Sequence, residues 1–277
     1  MASILGYCYR SCSVFNQVKH VNKFFTTSTK KHKVTVKKLK GKSIGSQKWL
    51  TQQLNDPYVK RAKLENWRCR SAFKLLEIDE KHKILKPGNI VIDCGAAPGS
   101  WCQVAAKKVN ATKSDPHRPA GTVIGVDLLH IEPLDGVTFL TKSDFTNKDV
   151  QNTILESLNG KKVQVVLSDM APRASDARQL DHERSVELCA SVLRFSVTIL
   201  RHGGHLLCKL WMGPEQDKLH RALDRMFASV KVVKPPASRN SSSEIYFLAK
   251  DFTGVPSDKS KVVSKPTQEI SANNDKG

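Results

Sequence analysis

No aspartate or glutamate occurs in the first 55 of the 277 residues, and the same stretch carries eleven lysines and arginines. Apolar runs are short as well. None approaches the roughly 20 residues that a membrane-spanning helix needs, so no membrane insertion is expected. The seven cysteines form no Cys-x-x-Cys pair with a matching partner, so no metal site is expected. Cys94, Cys189 and Cys208 have apolar neighbours and read as small core residues of a reducing compartment. The G-x-G-x-x-G fingerprint of dinucleotide-binding folds is absent, and there are no internal repeats.

What is present divides the chain into three parts. The acid-free start mixes scattered charge (Arg10, Lys19, Lys23) with Ser11, Ser13 and Thr26–Thr29 and with isolated apolar residues. That composition fits a mitochondrial presequence and not a secretory signal, which needs one compact apolar region. The denser lysine run from Lys30 to Lys42 reads as part of the presequence, as a basic arm, or as a nuclear or nucleolar signal. Residues 1–45 are therefore expected to be a disordered targeting segment, 46–252 a single folded domain and 253–277 a disordered polar tail. Eleven of the nineteen net positive charges lie in the first 55 residues, so the remaining 222 carry +8. A moderately basic folded part suits a polyanionic substrate.

Within the domain, short β-branched runs alternate with helical patterns. Strands are expected at 89–95, 122–128, 137–144, 163–170, 205–211, 229–233 and 244–250. Helices are expected at 71–83, 99–109, 147–158, 180–200 and 215–227, the fourth with an apolar stripe at Val186, Cys189, Val192, Leu193, Val197 and Leu200 and ended by Gly203-Gly204. The link Pro235–Asn240 is too short for a crossover, so the last two strands should form an antiparallel hairpin. The expected fold class is α/β, a seven-stranded, mostly parallel Rossmann-like sheet with one antiparallel strand.

The chemistry starts at Asp93-Cys94-Gly95-Ala96-Ala97-Pro98-Gly99-Ser100-Trp101, a tight turn between a strand and a helix. Gly95 makes the turn, and Gly99 lets backbone approach a ligand; Pro98, Ser100 and Trp101 complete the cradle. Two later strand ends close in Asp127, placed for ribose hydroxyls, and Asp144, placed for an adenine amine. Proline sits where a pyrophosphate would need N–H groups, which disfavours NAD. S-adenosylmethionine has no pyrophosphate and is the expected cofactor.

The segments Arg70–Leu75, Asp93–Trp101, Leu167–Pro172, Leu207–Lys209 and Ser242–Tyr246 together resemble the FtsJ/RrmJ family of RNA ribose 2′-O-methyltransferases, over about 56–250. The text around 69–77 and 125–131 is most similar to its mitochondrial branch, which modifies large-subunit ribosomal RNA. The resemblance implies a catalytic tetrad of Lys74, Asp169, Lys209 and Glu244. A ribose hydroxyl is a poor nucleophile at neutral pH, so such an enzyme must align it with the donor methyl and help its proton leave. Lys209 is the candidate base, Lys74 a second cation and substrate grip, and the two acids orient the amines; Asp169 also lies near the cofactor's methionine end. Arg173 departs from the family's usual small polar residue.

RNA contacts are expected from Lys60, Arg61, Lys63, Arg68 and Arg70, with Tyr58 and Trp67 interleaved for stacking, and from Arg173 and Arg239. The implied partner is the precursor of the mitochondrial large ribosomal subunit, met by a monomer in the matrix. Two alternatives stay open: an assembly factor of the same fold that acts mainly by binding RNA, and a nucleolar or cytosolic relative that methylates other RNA.

Overall fold

The computed structural model describes residues 44–175 and 177–255. All but residues 44 and 45 of the expected targeting segment, and most of the polar tail, lie outside the described residues. Two short helices come first, α1 (Ile44–Asn55) and α2 (Pro57–Leu64). Asp56 caps α2 by accepting the Tyr58 N–H, and Pro57 occupies the first turn, where its missing N–H costs nothing.

The remaining elements alternate. They are α3 (Ala72–His82), β1 (Ile90–Cys94), α4 (Ser100–Val109), β2 (Thr122–Val126), β3 (Val137–Leu140), α5 (Lys148–Leu158) and β4 (Val163–Ser168), followed by α6 (Arg178–Ile199), β5 (Leu200–Trp211), α7 (Gln216–Asp224), β6 (Phe227–Val233) and β7 (Glu244–Phe252). The seven strands form one sheet in the order β3-β2-β1-β4-β5-β7-β6. β7 runs antiparallel to β5 and β6, and every other pairing is parallel. The expected hairpin and single reversed strand are therefore present, with β7 inserted between β5 and β6.

Period-two alternation sends successive residues to opposite layers. Ile92, Cys94, Val166, Leu206 and Cys208 pack with α5, α6 and α7 on one face. Val91, Val165, Leu167, Leu207 and Leu248 pack with α3 and α4 on the other. Cys94, Cys189 and Cys208 are buried, in keeping with the core role read from their neighbours.

Two expectations are corrected. Helices α1 and α2 were not foreseen, and α1 begins at Ile44, inside the segment expected to be disordered. Gly203-Gly204 does not end α6. The helix stops at Ile199, and the glycine pair lies inside β5, where the register against β4 jumps from Val163–Leu200 to Val165–His205. The bulge needs Gly203 at φ +74°, a backbone state that side chains disfavour.

Candidate active site

Strand order reverses between β1 and β4, and in open α/β sheets ligands bind at such a switch point, outside the carboxyl ends of the strands. In register, Cys94 of β1 lies beside Ser168 of β4, and Ser168 beside Cys208 of β5. The glycine turn, Asp169 and Lys209 thus emerge from three neighbouring strand ends. β7 runs the other way, so its first residues arrive at the same edge, with Tyr246 opposite Lys209 and Glu244 opposite Trp211.

The side chains meet. Lys209 Nζ is 2.9 Å from Asp169 Oδ1, and it also donates to the Asp169 main-chain carbonyl. Lys74 Nζ is 4.0 Å from the same Oδ1 and forks onto Glu244, at 2.8 Å from Oε1 and 2.9 Å from Oε2. Two ammonium groups face two carboxylates, so the cluster is formally neutral. It is not sealed, because the Asp169 side chain keeps 19% of its surface exposed. Burial by itself would push the Asp169 carboxyl up, but Lys209 and Lys74 outweigh it and hold the group below the ordinary carboxylate range. Glu244 is lowered on the same balance, burial opposing and Lys74 prevailing.

Two further groups orient Asp169, and neither was named among the site residues in the sequence. The buried Tyr246 hydroxyl donates to Oδ1 at 2.7 Å, and burial together with the two acids keeps that phenol protonated. Ser71 Oγ donates to Oδ2 at 2.8 Å. The Ser71 carbonyl also accepts the indole N–H of Trp101 at 2.9 Å and the backbone N–H of Lys74 at 3.0 Å. One residue therefore joins the helix bearing Lys74, the carboxylate of Asp169 and the helix behind the glycine turn. Both residues lie inside the motifs Arg70–Leu75 and Ser242–Tyr246, which was the available signal.

At the turn, Gly95 (φ +79°) and Gly99 (φ +99°) take backbone states open to glycine. A Cβ on Gly95 would lie 2.2 Å from Met170 Cγ, and one on Gly99 would lie 2.5 Å from an Arg68 nitrogen. Asp127 accepts the Ala97 N–H at 2.9 Å and the Leu129 N–H at 2.8 Å, with the Leu128 N–H as a further donor, so it braces the turn. Asp144 is exposed, and its Oδ1 binds Thr146. Ser100 and Trp101 are buried at 2% exposure, the first against Cys69 and the second against Tyr246. Their side chains support the turn from beneath. Pro98 keeps partial exposure, and its carbonyl accepts from Arg68.

Asp93 was quoted in the turn but given no role. It is 1% exposed; Oδ2 takes the Cys102 thiol at 3.1 Å, and Oδ1 has no hydrogen-bond partner among the described residues. Burial, with Asp169 and Asp127 nearby, pushes its carboxyl up to about 7.

The expected RNA-contacting residues separate into two sets. Arg68 turns inward, donating to the Pro98 and Pro133 carbonyls at 2.9 and 2.7 Å. Arg70 and Arg239 converge on the buried Asp56, at 3.1 and 3.3 Å, and Arg70 also holds the Ala237 carbonyl. These three guanidinium groups are spent within the fold because the chain brings acceptors to them that adjacent sequence does not show. Tyr58 is likewise internal, bonded to Glu77 and packed on Phe73. Arg61 is exposed but pairs with Glu65 and lies over Phe73. Lys60, Lys63 and Arg173 remain on the surface.

A sheet of this order, with its reversed strand and a glycine turn at the switch point, defines the Rossmann-like methyltransferases. The chain belongs to the FtsJ-like methyltransferase family, whose model matches residues 67–252. It is 48% identical over 216 residues to the mitochondrial rRNA methyltransferase 2 of Drosophila melanogaster, covering 78% of this chain and 86% of that protein. It is 44% identical over 222 residues to the ribosomal RNA large subunit methyltransferase E of Mesorhizobium japonicum, covering 80% and 81%. A ribosomal RNA methyltransferase structure from Plasmodium falciparum matches with a TM-score of 0.60 at 32% identity, covering 68% of this chain and all of that one.

Proposed function

We propose that the chain transfers a methyl group from S-adenosylmethionine to a ribose 2′-hydroxyl of mitochondrial large-subunit ribosomal RNA, on a uridine of the peptidyl-transferase region, in the matrix. The observation that carries this reading is the cluster of Lys74, Asp169, Lys209 and Glu244 beside the glycine turn. The substrate class comes from the names of the relatives, and the compartment from the Drosophila relative and the acid-free start. Residues 1–45 are proposed as the targeting segment, 46–252 as the catalytic domain and 253–277 as a tail.

The turn fits the cofactor on its own chemistry. Two glycines in left-handed backbone states hold the turn tight against Met170 and Arg68, and among the described residues a buried carboxylate oxygen on Asp93 lacks a donor, which suits a ligand carrying an ammonium group. Asp127 and Asp144 keep acceptor capacity for hydroxyls and an amine, and Gly95, Pro98 and Gly99 supply backbone. When bound, S-adenosylmethionine supplies a methyl already activated by its sulfonium.

The protein's task is therefore the acceptor. Lys74 grips the substrate ribose or its phosphate. Lys209, with its amine fixed by Asp169, meets the 2′-hydroxyl and, in its neutral form, takes the proton as the oxygen–methyl bond forms. Asp169 is held from three sides, by Lys209, Ser71 and Tyr246, so the amine is aimed before substrate arrives, which is where positioning contributes to rate.

Tritium from labelled cofactor should pass to large subunits isolated from mitochondria lacking the enzyme and should resist alkaline hydrolysis as a dinucleotide. Cofactor binding without transfer to particle or free RNA would defeat the enzymatic reading in favour of RNA binding alone. The compartment is read separately, from the destination of a reporter fused to residues 1–45; a reporter that stays in the nucleolus or cytosol rejects the matrix.

A further inference from the structure

Three elements that bring a proposed catalytic residue to the site each carry a basic residue further along, away from it. α3 runs from Lys74 to Lys81 and His82, β5 back from Lys209 to His205, and β7 from Glu244 to Lys250. The separations are about 10 Å along the helix, about 13 Å along β5 and about 20 Å along β7, from the rises per residue. Lys231 of β6 is paired with Leu248 and so shares the sheet face of Lys250, and Lys86 lies just ahead of β1.

These residues form one cluster. Lys250 Nζ donates to the His82 carbonyl at 3.4 Å. Burial and then Lys231, Lys81 and Lys250 keep the His82 imidazole neutral. Burial does the same for His205, helped by Lys250 and Lys86 and opposed by Asp251, whose carboxylate is 4.0 Å away, and by a backbone hydrogen bond with Gly204. Among the described residues, none of the four lysines makes an ion pair. The C-terminal end of α3 offers about half a negative charge, too little to balance four cations. Lysines gathered without an ion-paired acid among the described residues repel one another, and a polyanion relieves that repulsion while releasing its own counterions.

We propose that Lys81, Lys86, Lys231 and Lys250 form a second RNA-binding surface, which holds substrate phosphates at the sheet edge opposite the methyl-transfer site. The proposal rests on the reading of the substrate as RNA. It assigns these lysines to affinity and leaves the chemical step to the cluster around Asp169.

The test is the triple variant Lys81→Glu/Lys231→Glu/Lys250→Glu, with Lys→Ser at the same positions as a milder form and thermal midpoints as the folding control. Both are titrated with poly(U) and with a transcript of the mitochondrial large-subunit rRNA. The serine variant should bind both probes at least about tenfold more weakly and lose roughly 2 units from the slope of log affinity against log salt, near 0.7 per phosphate contact. Its kcat at saturating RNA should stay within about twofold of the parent. Unchanged poly(U) affinity and slope in both folded variants would overturn the surface. So would weakening seen only on ribosomal particles and never on naked RNA, which would assign the lysines to an acidic protein. If the parent methylates no ribosomal RNA, the functional reading fails while the poly(U) titration still decides the surface.

Discussion

Lys209→Ala should lose methyl transfer by about 10³-fold or more while binding S-adenosylmethionine within about threefold of the parent, the scale of a lost proton acceptor combined with lost alignment. Positions in the structure separate the two effects. Lys209 faces Asp169 and the antiparallel strand β7, whereas the turn is built from β1, Asp127 and Arg68. Removing the amine leaves Asp169 with Tyr246, Ser71 and the more distant Lys74, so the carboxylate is not abandoned. The cofactor isotherm thus doubles as a folding control. Single-turnover rates on the ribosomal substrate check the prediction, and near-normal turnover would remove Lys209 from the role of base.

Asp93→Asn should have two opposite effects at slightly alkaline pH: a more stable protein and a cofactor bound at least about tenfold more weakly. The sign follows from proton uptake. The folded carboxyl titrates near 7 and the unfolded one near 3.8. Between those values the folded state holds a proton that the unfolded state has released, so stability falls as pH rises through the window and stays low above it. Three units of displacement correspond to a few kcal/mol at most. The variant has no such titration, so the thermal midpoint of the parent should fall relative to that of the variant from pH 4 to 8, the other titrating groups being common to both. Affinity of the parent for the cofactor should climb as Asp93 ionises towards pH 7. Parallel pH slopes for variant and parent would show that Asp93 carries no such strain.

Much of the frame is legible in the sequence because local signals and tertiary context agree. Val-Ile-Asp before a glycine turn, Val-Val-Leu-Ser before Asp169 and Leu-Leu-Cys before Lys209 are buried parallel strands, and they read as near-continuous apolar runs. The hairpin of β6 and β7 follows from the length of one link. The tetrad residues are legible only as parts of motifs, since Lys74 alone looks like one charge on a mixed helix.

What stayed hidden depends on partners far away in sequence. Arg70 and Arg239 look like a nucleic-acid patch until Asp56 is brought between them, 183 residues from the second. Ser71 gives no sign of its bond to Asp169, 98 residues on. Gly203-Gly204 carries the signature of a helix stop, yet β4 pairing extends β5 back past it to Leu200, and the pair is used as a bulge instead. Helices α1 and α2 are short and weakly patterned, and their contacts with the rest of the fold decide their place.

Those contacts tie the amino end of the described fold to the active site. Gln53 and Asp56 hold Arg239 across the link that leads into Glu244, and Asp56 also holds Arg70 just ahead of Ser71. A protease that trims the chain from its amino end can remove the lysine-rich stretch without touching either bond. A cut beyond Asp56 would remove the partners that pin the link into the strand delivering Glu244 and the segment ahead of the helix delivering Lys74.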